Sequence, residues 1–443
     1  MKNGLLKYVN QVIFVILCIG LLTGCTTTQS KEKKVITILY SSTTDFKMDY
    51  GNTLQAKFKN IDFQIIEYSP ILGDGIWNGL NYVPTSGDDW DAARFIALVK
   101  EKNPDIIYFP TAIYPSLLEE NLLKDVTDYA SQYDFSEIDT PIMENLQIMG
   151  EGRLYFLSDS LASQAIYYNK DLFANYNISA PNDFMTWDDI LTLANYITER
   201  GIEDGVTGLL TPYYDMVDLF LLYGKSNGLT WYNPNDVGTS FNHDAWKSVL
   251  EVIIEKNKWE SNLPATEKRY TELFQDNKVA MVLDSYLFKD ELARSDSKID
   301  WGLATAPVLN NETDKSYSVT FQYLNGINNA TPHSKEVLEV WAHLNGKDVA
   351  RKRHNMSLFR YTIPVRSNLL RDDEMRNIAV FYKLTSPMSL LSMENNLPRQ
   401  TESEVKRYLY SQMQDIIANH VTIADAVSNW DVEIPSIIQV KSD

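Results

Sequence analysis

The strongest constraint on the fold is an alternation of strand-like and helix-like segments along the chain. Val35-Ile36-Thr37-Ile38-Leu39-Tyr40 opens it as a β-branched run, and Phe63-Gln64-Ile65-Ile66-Glu67 follows. Ala92 to Lys100 then has helical spacing, Pro104-Asp105-Ile106-Ile107-Tyr108-Phe109 is a continuous apolar run of buried-strand type, and a helix is predicted over Pro115 to Leu123. Alternation of this kind predicts βα units and a largely parallel sheet. Further on, Thr186-Trp187-Asp188-Asp189 is a capping-type start for a helix with Ile190, Leu193, Ala194 and Ile197 on one face. Val337, Val340, Trp341 and Leu344 give the same spacing over Lys335 to Leu344. With 443 residues the chain exceeds one hydrophobic core and predicts two domains.

The N-terminus is of another kind. Lys2 and Lys7 precede an apolar run from Val12 to Leu22, too short to span a bilayer, which ends in Leu22-Thr23-Gly24-Cys25. This box resembles the bacterial lipoprotein pattern: residues 1–24 are expected to be a cleaved signal peptide and Cys25 the lipidated new N-terminus. Polar residues 25–34 form a tether before the first strand. A dual-chain anchor would hold the protein at the outer face of a cell membrane, since each buried methylene contributes ~0.8 kcal/mol.

Composition excludes several classes of function. The second cysteine, Cys18, lies inside the signal segment, so the mature chain has no thiol pair for a disulfide or a Cys-based metal site. The formal charge of −19 falls to −21 when Lys2 and Lys7 are removed, which argues against nucleic acid as a partner. His243, His333, His343, His354 and His420 have no metal-ligand spacing, and neither a Gly-x-Ser-x-Gly elbow nor a phosphate loop is present. Pairs among 59 acidic residues are too common to indicate a glycosidase. Asn233-Pro234-Asn235-Asp236 is a turn and lacks the carboxylates of a calcium loop. No cofactor and no metal are expected. Aromatics are tilted toward Tyr (26 Tyr, 9 Trp, 17 Phe), a ring with an apolar face and a polar edge suited to amphipathic ligands as well as to cores.

Several segments, taken in order, resemble the maltose-binding (family 1) type of extracellular solute-binding protein, the receptor family of ABC importers. They are Pro104 to Phe109 with Leu117 to Asp125; Leu154-Tyr155-Phe156-Leu157 followed by Ile166 to Phe173 and Pro181 to Trp187; and Phe274-Gln275-Asp276-Asn277-Lys278-Val279-Ala280-Met281, where Asn277 replaces the usual Gly. Gly326 to Ala330, Ile363-Pro364-Val365-Arg366 and Thr422 to Val427 complete the series. The resemblance implies a periplasmic-binding-protein-like α/β fold of two discontinuous lobes joined by a hinge, with a ligand cleft between them. The expected division is 35–166 plus 322–359 for lobe one and 167–321 plus 360–443 for lobe two.

Ligands of open parallel sheets gather beyond the carboxyl ends of strands. That rule selects Tyr40 and Ser41, Phe109 and Thr111, Gln164 before the crossing, Tyr213 and Tyr214, Asp284 and Tyr286, and Gln322 and Tyr323 at the return. The resemblance implies that aromatics near Phe109, Tyr213 or Tyr214, and Tyr286 stack on sugar rings while carboxylates and amides bond hydroxyls. Each of these aromatics could equally be lobe core, and Asp284 a solvated loop acid or helix cap. The Gly-rich stretch from Ser69 to Asp91 is a surface loop or an insertion over the cleft. The function implied is a monomeric, lipid-anchored receptor that captures a carbohydrate and delivers it to an ABC permease without chemistry. Alternatives are a sensory co-receptor of the same fold and a surface lipoprotein glycan hydrolase.

Overall fold

The computed structural model describes residues 33–439, apart from 70–74, 79–80, 85–91, 134, 136, 234–235, 240, 242–243, 262, 264–267, 295–298, 333, 356–361, 371–376, 388–396 and 398. The signal segment, Cys25, nearly all of the tether and most of the Gly-rich stretch lie outside the described residues. Among the described residues no helix is long and apolar enough to cross a membrane.

In chain order the strands are β1 (Lys34–Tyr40), β2 (Ile61–Glu67), a hairpin of β3 (Gly75–Asn78) and β4 (Asn81–Pro84), β5 (Ile106–Pro110), β6 (Phe156–Leu157) and β7 (Ser160–Asn169). Then come β8 (Thr207–Leu210), a second hairpin of β9 (Tyr232–Asn233) and β10 (Asp236–Thr239), β11 (Val279–Ser285), β12 (Trp301–Thr305), β13 (Val319–Thr320), β14 (Tyr323–Ile327) and β15 (Ile363–Pro364). They build two principal sheets, one in each α/β lobe. The first has the order β2-β1-β5-β14-β6; the second has the order β12-β7-β11-β8, with β13 and β15 also paired to β7.

Each sheet is mixed, one antiparallel strand standing among strands that otherwise share a direction. β2, β1 and β5 are mutually parallel, as are β11 and β8, but β14 runs antiparallel to β5 and β7 runs antiparallel to β11 and β12. The antiparallel members are those that arrive from the other lobe, entering the sheet from the end opposite to that used by a local βα crossover. β7 is the main connector. Ser160 and Leu161 pair with β15, Ala162 and Ser163 with β13, and Ala165 to Asn169 with β12 inside the second sheet. Beyond β15 the chain stays bonded to the first lobe: the Ser367 N–H donates to Asp139 at 2.6 Å, and Arg366 donates to the Asn345 carbonyl at 2.7 Å.

Local sequence explains how the second sheet is covered. The helix Trp187–Gly201 begins with a full capping box, Thr186 Oγ1 and the Asp189 carboxylate each taking the other's backbone N–H. Its buried face is Trp187, Ile190, Leu191, Ala194 and Ile197, the leucine and each isoleucine contributing ~1.5–3 kcal/mol on burial. The helix lies flush on β8 because Gly208 has no side chain there; a Cβ would sit 2.0 Å from the Ala194 carbonyl oxygen. Thr198, unusual inside a helix, donates to Ala194 O at 2.8 Å and accepts the Gly208 N–H at 2.9 Å, closing the helix–strand seam. Asn277 adopts φ +57, the left-handed conformation for which Asn is the best substitute for Gly, and Asn169 donates to its side chain at 2.6 Å.

Candidate functional site

The second lobe gathers the larger part of the predicted set. Tyr213 lies beyond the carboxyl end of β8, and Asp284 and Tyr286 lie at and beyond the carboxyl end of the parallel neighbour β11. Gln164 on the crossing strand pairs with Ser285. The Tyr214 hydroxyl donates to Gln164 Oε1 at 2.9 Å, so the amide oxygen of a side chain only 1% exposed is satisfied and its orientation fixed. Tyr286 is half-buried, edge-on to Phe381 at 5.7 Å, with Lys289 Nζ 4.8 Å from its ring centroid.

Asp284 is the most unusual group here. It is 1% exposed, and burial pushes its carboxyl up to about 6, against the Ser285 backbone N–H and the neighbouring Tyr270 and Tyr213 hydroxyls, which pull it down. The Ser285 N–H reaches Oδ1 at 2.6 Å. The Tyr213 and Tyr270 hydroxyls approach the same carboxylate, yet Oδ2 has no hydrogen bond of full geometry. Burial and the nearby Asp284 charge hold the hydroxyls of Tyr213 and Tyr270 well above the ordinary tyrosine range, so both keep their protons at any physiological pH.

Predicted residues of the first lobe have other surroundings. Tyr40, at the end of β1, donates to Asp49 Oδ2 at 2.6 Å and packs edge-on against Phe46, Tyr50 and Tyr108. Asp49 belongs to a buried ionic group around Arg353, whose Nη1 meets Asp159 Oδ2 at 2.7 Å and whose guanidinium lies 4.6 Å from the Tyr50 ring centroid. Burial pulls the Arg353 pKa down, but Asp159, the tyrosines and Asp49 outweigh it and keep the group charged. Ser41 donates to Asp45 at 3.2 Å. Phe109 is fully buried against Phe156 and is part of the lobe core, so its ring has no face open to a ligand. Thr111 donates to the Phe321 carbonyl at 2.6 Å, tying the end of β5 to the return strand, where Gln322 is buried and Tyr323 half-buried.

The structure thus brings together Gln164, Tyr213, Tyr214, Asp284 and Tyr286, and places Tyr40 and Ser41 in the other lobe. It adds Tyr270, Ser285 and Phe381, which sequence reasoning missed. Tyr270 opens the short helix Tyr270–Gln275, which leads straight into β11 and therefore runs back along it, so its first residue returns to the carboxyl end of that strand. That return was the available signal.

Two α/β lobes joined by crossing strands, with hydrogen-bonding aromatics at the strand ends, define a hinged binding protein. The chain matches the family model of bacterial extracellular solute-binding proteins over residues 80–377, more than half its length, and belongs to that family. The family places the protein outside the cytoplasm and makes it a binding protein, not an enzyme. Solved structures share the fold at low identity. One is the binding protein MsmE of Bacillus subtilis in an open conformation, with TM-score 0.59, 15% identity and coverage of 93% of this chain and 99% of that one. The sugar-binding protein MalE of Xanthomonas citri has TM-score 0.58, 12% identity and coverage of 92% and 98%. A cyclo/maltodextrin-binding protein in complex with maltotetraose has TM-score 0.53, 16% identity and coverage of 93% and 98%.

Proposed function

We propose that this protein is a lipid-anchored receptor that captures a mono- or oligosaccharide between its lobes and delivers it to the permease of an ABC importer. The observation that carries this is the grouping of Tyr213, Tyr270 and Tyr286 with Asp284 and Gln164 at the carboxyl ends of β8 and β11, beside the crossing strand. A pyranose has an apolar C–H face and a rim of hydroxyls, and a set of half-buried rings backed by fixed polar groups complements both. The sugar-binding MalE and the cyclo/maltodextrin-binding protein, which share this fold, support the same ligand class.

Ligand held by both lobes favours the closed arrangement by as much as its affinity for closed exceeds that for open. Cys25 supplies the anchor, and a separate importer subunit consumes the ATP. The test is uptake of radiolabelled sugars by cells lacking the gene. Complementation by the intact gene should restore uptake of one sugar class, delivered without hydrolysis. The Cys25→Ser protein should move from the membrane fraction to the medium. Unchanged uptake in the deleted strain would remove the transport assignment, and cleavage of the labelled glycan by the purified protein would replace it with the hydrolase.

A further inference from the structure

We propose that Phe184 is the stacking platform of an outer sugar subsite, with the Lys383 ammonium beside it, so that the solute is an oligosaccharide of at least two units. The proposal rests on the receptor function above and deepens it to a ligand class: one unit at Asp284 and Tyr286, the next against Phe184.

Phe184 departs from the ordinary in backbone and in exposure. Its φ is +65, a left-handed conformation that is an outlier for a bulky side chain. Its ring is 43% exposed, although Pro181 is buried and Met185 packs on the core. Burial is the favourable course for a phenylalanine, and this turn holds the ring in solvent instead. Backbone strain of this kind persists only where the surroundings over-determine it, and it gathers at ligand clamps. Here two hydrogen bonds to one residue fix the turn: the Phe184 N–H donates to Thr305 Oγ1 at 2.7 Å, and the Thr305 N–H donates to Asp183 Oδ1 at 3.0 Å. Thr305 is 1% exposed, so the turn is tied to the buried end of β12.

Strand register places this turn beside the inner site. Thr305 on β12 and Asp284 on β11 pair with the same residue of β7, Ala165, from either side. Both strands are antiparallel to β7, so Thr305 and Asp284 lie at the same carboxyl end of the sheet. Two strand spacings separate them, ~10 Å, more than one pyranose ring covers and within the reach of two joined ones. The interval is bridged: Tyr286 is edge-on to Phe381 at 5.7 Å, and Lys383, two residues further on, is paired with Asp183. The Ser163 hydroxyl donates to the Phe381 carbonyl at 2.9 Å, which ties this segment to β7. Both carboxylate oxygens of Asp183 are engaged, by Thr305 and by Lys383. Among the described residues the Lys383 ammonium is bonded to Asp183 alone, and it keeps two N–H donors for hydroxyls. A ring face with donors at its edge suits the apolar face and hydroxyl rim of a pyranose.

Calorimetry on the purified protein tests this with sugars of one, two and three units: glucose, maltose and maltotriose; galactose, galactobiose and galactotriose; xylose, xylobiose and xylotriose. In the series that binds, two units should bind at least ~tenfold more tightly than one. Phe184→Asn removes the ring and suits the left-handed backbone, and it should lose that advantage, whereas Phe184→Tyr should retain it. Lys383→Met leaves the two hydrogen bonds to Thr305 in place and should lower the same ratio several-fold. The readout is a ratio within one variant, so a general loss of folded protein cannot imitate it. Equal affinity for one unit and two overturns the proposal, as does an advantage that survives in Phe184→Asn or is unchanged in Lys383→Met; the receptor function then still stands. Full binding by Phe184→Asn with loss of uptake in complemented cells also overturns it and makes the ring a contact for the permease. If no sugar binds the parent protein, the receptor function fails and the subsite with it.

Discussion

Replacing Asp284 with Asn should make the protein more stable at neutral pH and leave it little changed in acid. The carboxyl is held at about 6 in the folded protein against an ordinary 3.8. At ~1.4 kcal/mol per tenfold difference in proton affinity, keeping it ionised costs the folded state ~3 kcal/mol. The sign follows from linkage: the folded form binds this proton more tightly than the unfolded form, so the penalty is fully present above pH 6 and fades as pH falls toward 3.8. Asn has nearly the same shape and no charge to desolvate. Urea unfolding of both proteins should therefore show Asp284→Asn more stable by ~3 kcal/mol at pH 7.5 and by only ~1 kcal/mol at pH 4.5, other acid effects cancelling in the difference. A variant no more stable than the parent at pH 7.5, or one whose advantage is the same at both pH values, would refute the claim that burial dominates this carboxyl. A stabilising substitution inside the proposed binding site is what a functional charge, retained against the interest of stability, should produce.

Other positions give independent tests. Arg353→Leu leaves Asp159 and Asp49 buried without their cation and should lower stability by ~3–5 kcal/mol in denaturant unfolding, partly recovered by adding Asp159→Asn. Gly208→Ala drives a methyl into the Ala194 carbonyl and should destabilise by ~1–3 kcal/mol or more, read as a fall in melting temperature. Thr186→Ala removes one half of a capping box and should cost ~1 kcal/mol in the same assay. Tyr286→Ala should weaken sugar binding at least ~tenfold in calorimetry while the ligand-free melting temperature moves little, because the ring is half-buried.

Legibility in the sequence followed the range of the interactions. The cap at Thr186 and the strand at Val35 to Tyr40 are set by neighbours within a few residues, and each was readable. The mixed sense of the two sheets was not, because the antiparallel strands β7 and β14 come from chain crossings that no local pattern announces. Within the proposed site, the strand-end rule selects Tyr213, Asp284 and Tyr286, whose backbone position is local. It overreached at Phe109, since side chains on a strand buried on both faces all look alike in sequence. It also missed Tyr270, which reaches Asp284 through the return of a helix. Arg353 lies in a run of basic residues that gives no local sign of its partners; only the tertiary fold places Asp159 and Tyr50 against it.

The central claim, that the cleft takes a carbohydrate, is tested most directly by a thermal-shift screen of the purified protein against mono- and oligosaccharides, with amino acids and peptides as controls. A ligand at one hundred times its dissociation constant adds ~2.7 kcal/mol of stability, a shift of several degrees. Selective stabilisation by one sugar class is the predicted result. Stabilisation by an amino acid or peptide, with no response to any sugar, would contradict the account while leaving the two-lobed fold as described.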